Sequence, residues 1–217
     1  MSRLSYNVPV AGIDGTKGGW VAIVLDHEGR FVSDHLIRPV KTHFEELRDC
    51  AVLAIDVPIG FGPRDADAAA RAYLAGNASV VFTTPSREVL ERPFGPGLRV
   101  SAQAHALGPR ILHVTDLAVS DDRIHEVHPE VSFRAMNGGR RLRYRKKSAG
   151  GALERVALLR ENGIELTALG PAAEAPLDDV LDAAAAAWSA RRIARGEART
   201  LPDPAEQVAG RRVAIWY

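Results

Sequence analysis

Residues 8–25 read VPVAGIDGTKGGWVAIVL. Two apolar runs, Val10 to Ile13 and Trp20 to Leu25, flank a turn holding Gly15, Gly18 and Gly19, and the pattern predicts a β-hairpin with a tight connection. Asp14 is expected where the first strand ends. A carboxylate there, followed by glycines that let a ligand approach the backbone, suits a metal ion or a phosphate. Asp also starts turns unaided by bonding to nearby amides, so the hairpin alone leaves both readings open.

After the hairpin, Asp26-His27-Glu28-Gly29 supplies a second turn and Arg30 to Arg38 a third strand, which makes an antiparallel meander. Thr42 is placed to cap a short helix through Asp49. Ala51 to Ile55 is a continuous apolar run, as expected of a central strand covered on both faces, and it leads into Asp56-Val57-Pro58-Ile59-Gly60. Asp56 therefore emerges at the carboxyl end of a strand, where open α/β sheets place their ligands. Helical patterns cover Arg64 to Leu74, Ser86 to Glu91 and, interrupted at Gly108-Pro109, Val100 to Leu117. Val80 to Thr84 reads as a short strand or a loop. Arg123 to Val127 predicts the next strand, which runs into His128-Pro129-Glu130 and a helix opened by Pro129. Gly60 to Asp122 far exceeds an ordinary connection and predicts a helical insertion, around residues 60–122, beside the ligand edge of the sheet. Ala149 to Glu161 predicts another helix. Leu177 to Arg195 is the clearest one, with five consecutive alanines, an acidic start (Asp178, Asp179, Asp182) and a basic end (Arg191, Arg192, Arg195). Arg212 to Tyr217 closes the chain as an edge strand.

This order, β-β-β-α-β-α-β-α, predicts an α/β fold in one domain over residues 1–217: a mixed five-stranded sheet with flanking helices. In such a sheet the fourth strand pairs beside the first, so Asp14 and Asp56 are expected as neighbours. The last helix then brings up Asp182, with Asp179 three residues earlier on nearly the same face. Clustered carboxylates repel one another unless a cation intervenes, which predicts a divalent metal, and hard oxygen ligands point to Mg²⁺ or Mn²⁺. Asp178 and Asp179 also have a plainer use, since acids in a first helical turn stabilise it by about 0.3 to 1 kcal/mol.

The whole chain has 28 basic and 27 acidic residues, a net charge of +1 and a 46% hydrophobic content, so it carries no global attraction to nucleic acid or acidic membranes. Its single cysteine, Cys50, rules out an internal disulfide and a cysteine-based zinc cluster, which suits a reducing cytoplasm. No apolar run approaches the ~20 residues of a membrane span, and the N-terminal MSRLSYNVPVAG lacks the core of a signal peptide. A cytoplasmic protein with no membrane partner is expected. Against this neutral background residues 140–147 read RRLRYRKK, six of eight basic, while the other 22 basic residues face all 27 acidic ones. A flexible basic arm beside a carboxylate site suits a phosphate backbone, with Arg143 and Lys146 as candidate contacts. A solvated loop held extended by its own charge is the other reading. Lys17 in the hairpin turn, and Arg64 and Arg87 in the helical insertion, are further candidates for phosphate, although the arginines can equally pair with Asp65 and Asp67. Glu126 and Glu130 alternate with His128 and are candidate additional ligands for metal or substrate.

Gly12-Ile13-Asp14-Gly15-Thr16-Lys17-Gly18-Gly19-Trp20, Ile55-Asp56-Val57-Pro58-Ile59-Gly60, Arg64 with Asp67 and Arg71, Val81-Phe82 with Pro85 and Arg87, Glu126-Val127-His128-Pro129-Glu130 and Asp178-Asp179-Val180-Leu181-Asp182-Ala183 occur in that order along nearly the whole chain. In these pieces the sequence resembles the DUF429 proteins, described as predicted nucleases with an RNase H-like fold. It departs from the family pattern at Ala66, where a cysteine is usual. The resemblance implies metal-assisted hydrolysis of nucleic-acid phosphodiesters, with Asp14 bridging two ions about 4 Å apart, Asp56 and Asp182 holding one each, and Asp179 as a spare ligand or orienting group. Two other classes compete. Asp14-Gly15-Thr16-Lys17-Gly18-Gly19 resembles the first phosphate loop of actin-like sugar kinases, which need a second domain and a second glycine-rich loop that this chain lacks. A non-catalytic module could use the same cleft for a nucleotide or a partner protein.

Overall fold

The computed structural model describes residues 8–208 and 211–217. The first seven residues, part of the stretch read as lacking a signal-peptide core, lie outside them. In chain order the elements are β1 (Val10–Thr16), β2 (Gly19–Leu25), β3 (Phe31–Ile37), β4 (Leu53–Ile55), α1 (Asp65–Tyr73), α2 (Arg87–Glu91), α3 (Ala102–Ala106), α4 (Gly108–Ser120), β5 (Ile124–Glu126), α5 (Pro129–Met136), α6 (Ala149–Glu161), α7 (Leu177–Arg195), β6 (Thr200–Val208) and β7 (Arg211–Trp216). Five strands form one sheet in the order β3-β2-β1-β4-β5. The meander β1-β2-β3 is antiparallel, and β4 runs parallel to both β1 and β5. This is the mixed five-stranded α/β arrangement that the element order predicts.

Both faces of the sheet are covered, which explains the uninterrupted apolar runs. Val10, Val21, Ile23 and Leu25 pack with α7, Phe133 of α5, and Leu158 and Leu159 of α6. Ala11, Ile13, Trp20, Ala22 and Ile55 face the other way, onto Phe44, Leu47 and the Ile111, Val114 and Ala118 face of α4. Side chains alternate along β1, so Gly12, Asp14 and Thr16 share the face that meets α7. There the packing is backbone against backbone. A Cβ at Gly12 would fall 2.2 Å from the carbonyl oxygen of Ala183, and Ala183 to Ala187 are all fully buried. The alanine run thus does more than favour helix: larger side chains would hold α7 away from the strand.

The described residues depart from the sequence reading in four places. β1 does not stop at Ile13 but runs on to Thr16, so Asp14 lies inside the strand, opposite Val21, and the turn is Lys17-Gly18, with Gly18 at φ +75°. The helix expected from Thr42 shrinks to a 3-10 turn at Glu45–Leu47. Of the two readings open for Val80 to Thr84 the loop holds: a 3-10 turn at Ala78–Val80 runs into it and no strand follows. The final strand, β7, pairs with the unforeseen β6 as a separate two-stranded sheet and touches the large one through a bridge from Trp216 to Val127. The strand β5 ends at Glu126, and Glu130 already sits in the first turn of α5, so the two glutamates do not alternate along one strand. Four helices, α1 to α4, fill the long connection between β4 and β5. No helix of the described residues is long and apolar enough to cross a membrane.

Candidate functional site

The carboxylates of Asp14, Asp56 and Asp182 each offer an oxygen, and these oxygens lie within 4.8 Å of one another. Each comes from a different element. Asp14 projects from β1. Asp56 follows β4, its amide still donating to the Ile13 carbonyl at 2.9 Å, so neighbouring parallel strands bring the first two together. Asp182 sits one turn into α7, directly before the alanine run that docks on Gly12. One Asp14 oxygen accepts the Gly15 amide at 2.7 Å. Asp182 Oδ2 accepts from the Lys146 ammonium, while Oδ1 is buried without a hydrogen-bond partner among the described residues.

Burial and mutual repulsion disfavour charge here. Burial, then the charges of Asp56 and Asp182, pushes Asp14 well above the ordinary carboxylate range. Asp56 is raised to about 7 by burial; Lys146 draws it down, and Glu126 and Glu130 push it further up. Asp182 is likewise raised to about 7 by burial, partly opposed by Lys146 and reinforced by Asp56. One ammonium therefore faces three carboxylates. A buried, unpartnered ligand oxygen, an all-oxygen donor set and excess negative charge fit a hard divalent cation.

The loop carrying Asp56 is tied from below. The Glu126 carboxylate accepts the Ile59 amide at 2.7 Å, and the Thr115 hydroxyl accepts the Gly60 amide at 3.0 Å. Arg64 grips the same glutamate, its Nη2 reaching Glu126 Oε1 at 2.8 Å, and also binds Asp67, whose other oxygen accepts the Thr84 amide at 2.8 Å. Arg64, Asp67 and Glu126 are all buried. Arg64 and Glu126 are thus committed to each other beneath the site. Glu130 is held by the buried Arg155 and by Asn77 at 3.4 Å.

The sequence-derived candidates separate clearly in space. Asp14, Asp56, Asp179, Asp182, Glu126, Glu130, Arg64, Arg143 and Lys146 all line one cleft of about 980 Å³. Asp179 is half-buried; burial raises its pKa, and a hydrogen bond from the Thr16 hydroxyl opposes that rise. Lys17 and Arg87 do not line the cleft. Lys17 is exposed in the hairpin turn, and Arg87 pairs with Asp116 and Glu91 while its guanidinium lies 4.5 Å from the centre of the Phe61 ring.

Residues 140–147 are a pinned turn rather than a free arm. The Glu154 carboxylate of α6 accepts the Arg143 amide at 2.9 Å and the Tyr144 amide at 3.1 Å, and Ser148 donates to the Arg145 carbonyl at 2.8 Å. A Cβ at Gly151 would fall 2.0 Å from that carbonyl. Held so, Arg141, Arg143, Arg145 and Lys147 form one basic wall of the cleft, and Lys146 among them reaches Asp182. Arg110 of α4 was not singled out in the sequence. It reaches the carbonyls of Thr16 and of Gly19, the latter at 3.1 Å, and packs over Trp20 beside Asp14, yet nothing in its helical surroundings distinguishes it from a surface arginine. His128 is another lining residue: burial pushes the pKa of its imidazole down, and its buried Nδ1 has no hydrogen-bond partner among the described residues.

No curated protein and no solved structure matches the chain. A family model, described as a protein of unknown function, DUF429, matches residues 12–207, and the chain belongs to that family.

Proposed function

We propose that this protein is a metal-dependent nuclease with an RNase H-like fold. The observation that carries the reading is the approach of the Asp14, Asp56 and Asp182 oxygens to within 4.8 Å, in a cleft also lined by Arg141, Arg143, Arg145 and Lys147. The sheet order β3-β2-β1-β4-β5, with its antiparallel meander and parallel continuation, supports the fold assignment. Asp14, Asp56 and Asp182 would hold Mg²⁺ or Mn²⁺. Such an ion, when bound, supplies a nucleophile at neutral pH and offsets the charge that builds on a phosphate under attack.

The remaining work falls to the chain itself. Arg143, Lys146 and their neighbours attract the phosphate backbone, a contact that needs no particular base. Glu126 fixes the loop bearing Asp56, and the Thr16 hydroxyl orients Asp179 at the rim. Hydrolysis adds the hydroxyl of water to phosphorus and its proton to the sugar oxygen that leaves. The test is incubation of end-labelled single- and double-stranded RNA and DNA with Mn²⁺, comparing wild type with D14N. Cleavage by wild type that D14N loses supports the reading; no product above the D14N level on any of the four substrates rejects it.

A further inference from the structure

Lys146 occupies a peculiar position in this site. Among the described residues it is the one cation paired with a member of the carboxylate trio: its ammonium rests on Asp182 Oδ2 and lies 4.0 Å from Asp178 Oδ2. The nearby guanidinium groups are engaged elsewhere, Arg64 with Glu126 and Asp67, Arg155 with Glu130, and Arg110 with backbone carbonyls. Lys146 also has a way out. Its side chain is one-third exposed, on a flexible four-carbon stem, and its backbone is anchored in the turn that Glu154 and Ser148 hold.

We propose that Lys146 is a tethered counter-cation. Its ammonium guards the carboxylates until a divalent ion displaces it, and it then swings to the phosphate of the bound nucleic acid. This rests on the metal-dependent reading given above. Charge and ligand count both favour the exchange. A single ammonium balances one of three carboxylates, whereas a divalent ion balances two and gains Asp182 Oδ2 as a ligand when the lysine leaves. Burial works against the lysine's charge, but Asp182, Asp14 and Asp56 push its pKa above the ordinary lysine value, which favours the ammonium in the metal-free site. Once released, it joins the basic wall formed by Arg143, Arg145 and Lys147. Metal and nucleic acid are then linked by one side chain: each favours the lysine position that suits the other.

The exchange is read on the wild-type protein by reductive methylation with and without saturating Mn²⁺, with Lys147, whose side chain is 86% exposed, as the internal standard. Methylation of Lys146 relative to Lys147 should rise about threefold or more with Mn²⁺. Calorimetry of Mn²⁺ binding to K146Q should show affinity raised about tenfold, because the competitor is gone. Mn²⁺ should also strengthen binding of a labelled oligonucleotide to wild type more than to K146Q. Mn²⁺ binding at equal or lower affinity in K146Q, or an unchanged methylation ratio in metal-bound wild type, overturns the exchange alone. Failure of both proteins to bind Mn²⁺ overturns the exchange together with the metal-dependent reading.

Discussion

Gly12 and Ala187 meet with no room for a side chain: a Cβ on the glycine would lie 1.9 Å from the alanine's amide nitrogen. The obstacle is helix backbone, which cannot rotate aside. G12A should therefore destabilise the fold by about 3 kcal/mol or more, measured by urea denaturation. Because α7 also carries Asp182, whatever G12A protein folds should show a reduced thermal shift with Mn²⁺.

The raised pKa values of Asp56 and Asp182 predict the pH dependence of the metal-free protein. Both titrate near 7 when folded and near 4 when unfolded, so between these values the folded state binds the extra protons. Their contribution is a penalty that is absent below pH 4, grows as pH rises, and is complete above 7. Scanning calorimetry in chelator should show Tm falling by about 5 °C from pH 5 to pH 8. Added Mn²⁺ should flatten the slope.

Asp56 forms no ion pair among the described residues, so removing its charge breaks no bridge, although the Lys146 charge acts on it. D56N should raise the metal-free Tm at pH 8 by about 3 °C while abolishing the Mn²⁺-induced shift. A variant with lowered stability and an intact metal response would contradict the placement of Asp56 in the repelling trio.

Arg64 and Arg87 look equivalent in the sequence but should behave oppositely. R64L leaves Glu126 and Asp67 buried without their cation and should cost about 3 to 5 kcal/mol in urea denaturation. R87L, changing an exposed residue outside the cleft, should leave the urea midpoint where it was.

The basic wall predicts a salt signature. The slope of log affinity against log salt for a labelled oligonucleotide should shrink by about one for R143A and again for R145A, and remain unchanged for R87A and K17A. Equal slopes in all four variants would remove these residues from the binding surface.

What the sequence revealed, and what it hid, follows from the range of the interactions. The neighbourhood of Asp14 and Asp56 was legible because apolar runs marked β1 and β4, and the order of elements placed those strands side by side. Asp182 was legible because it lies one turn beyond the stretch where the helix dipole accounts for acids. The Arg64–Glu126 bond was not, since its partners are 62 residues apart and each resembles a surface residue in its own segment. The strand β6, TLPDPAEQV, carries two prolines and no regular alternation, and the prolines are tolerated because it pairs on one side only. Tethering of residues 140–147 escaped notice for a similar reason. Their charges suggested an extended loop, whereas a single carboxylate from α6, Glu154, holds the turn closed.

The trio draws two members from adjoining strands and its third from a helix more than a hundred residues downstream. A chain still emerging from the ribosome therefore has at most two of the three acids, however well its sheet has formed. Synthesis and docking of α7 complete the trio, so an unfinished or truncated copy lacks its third carboxylate.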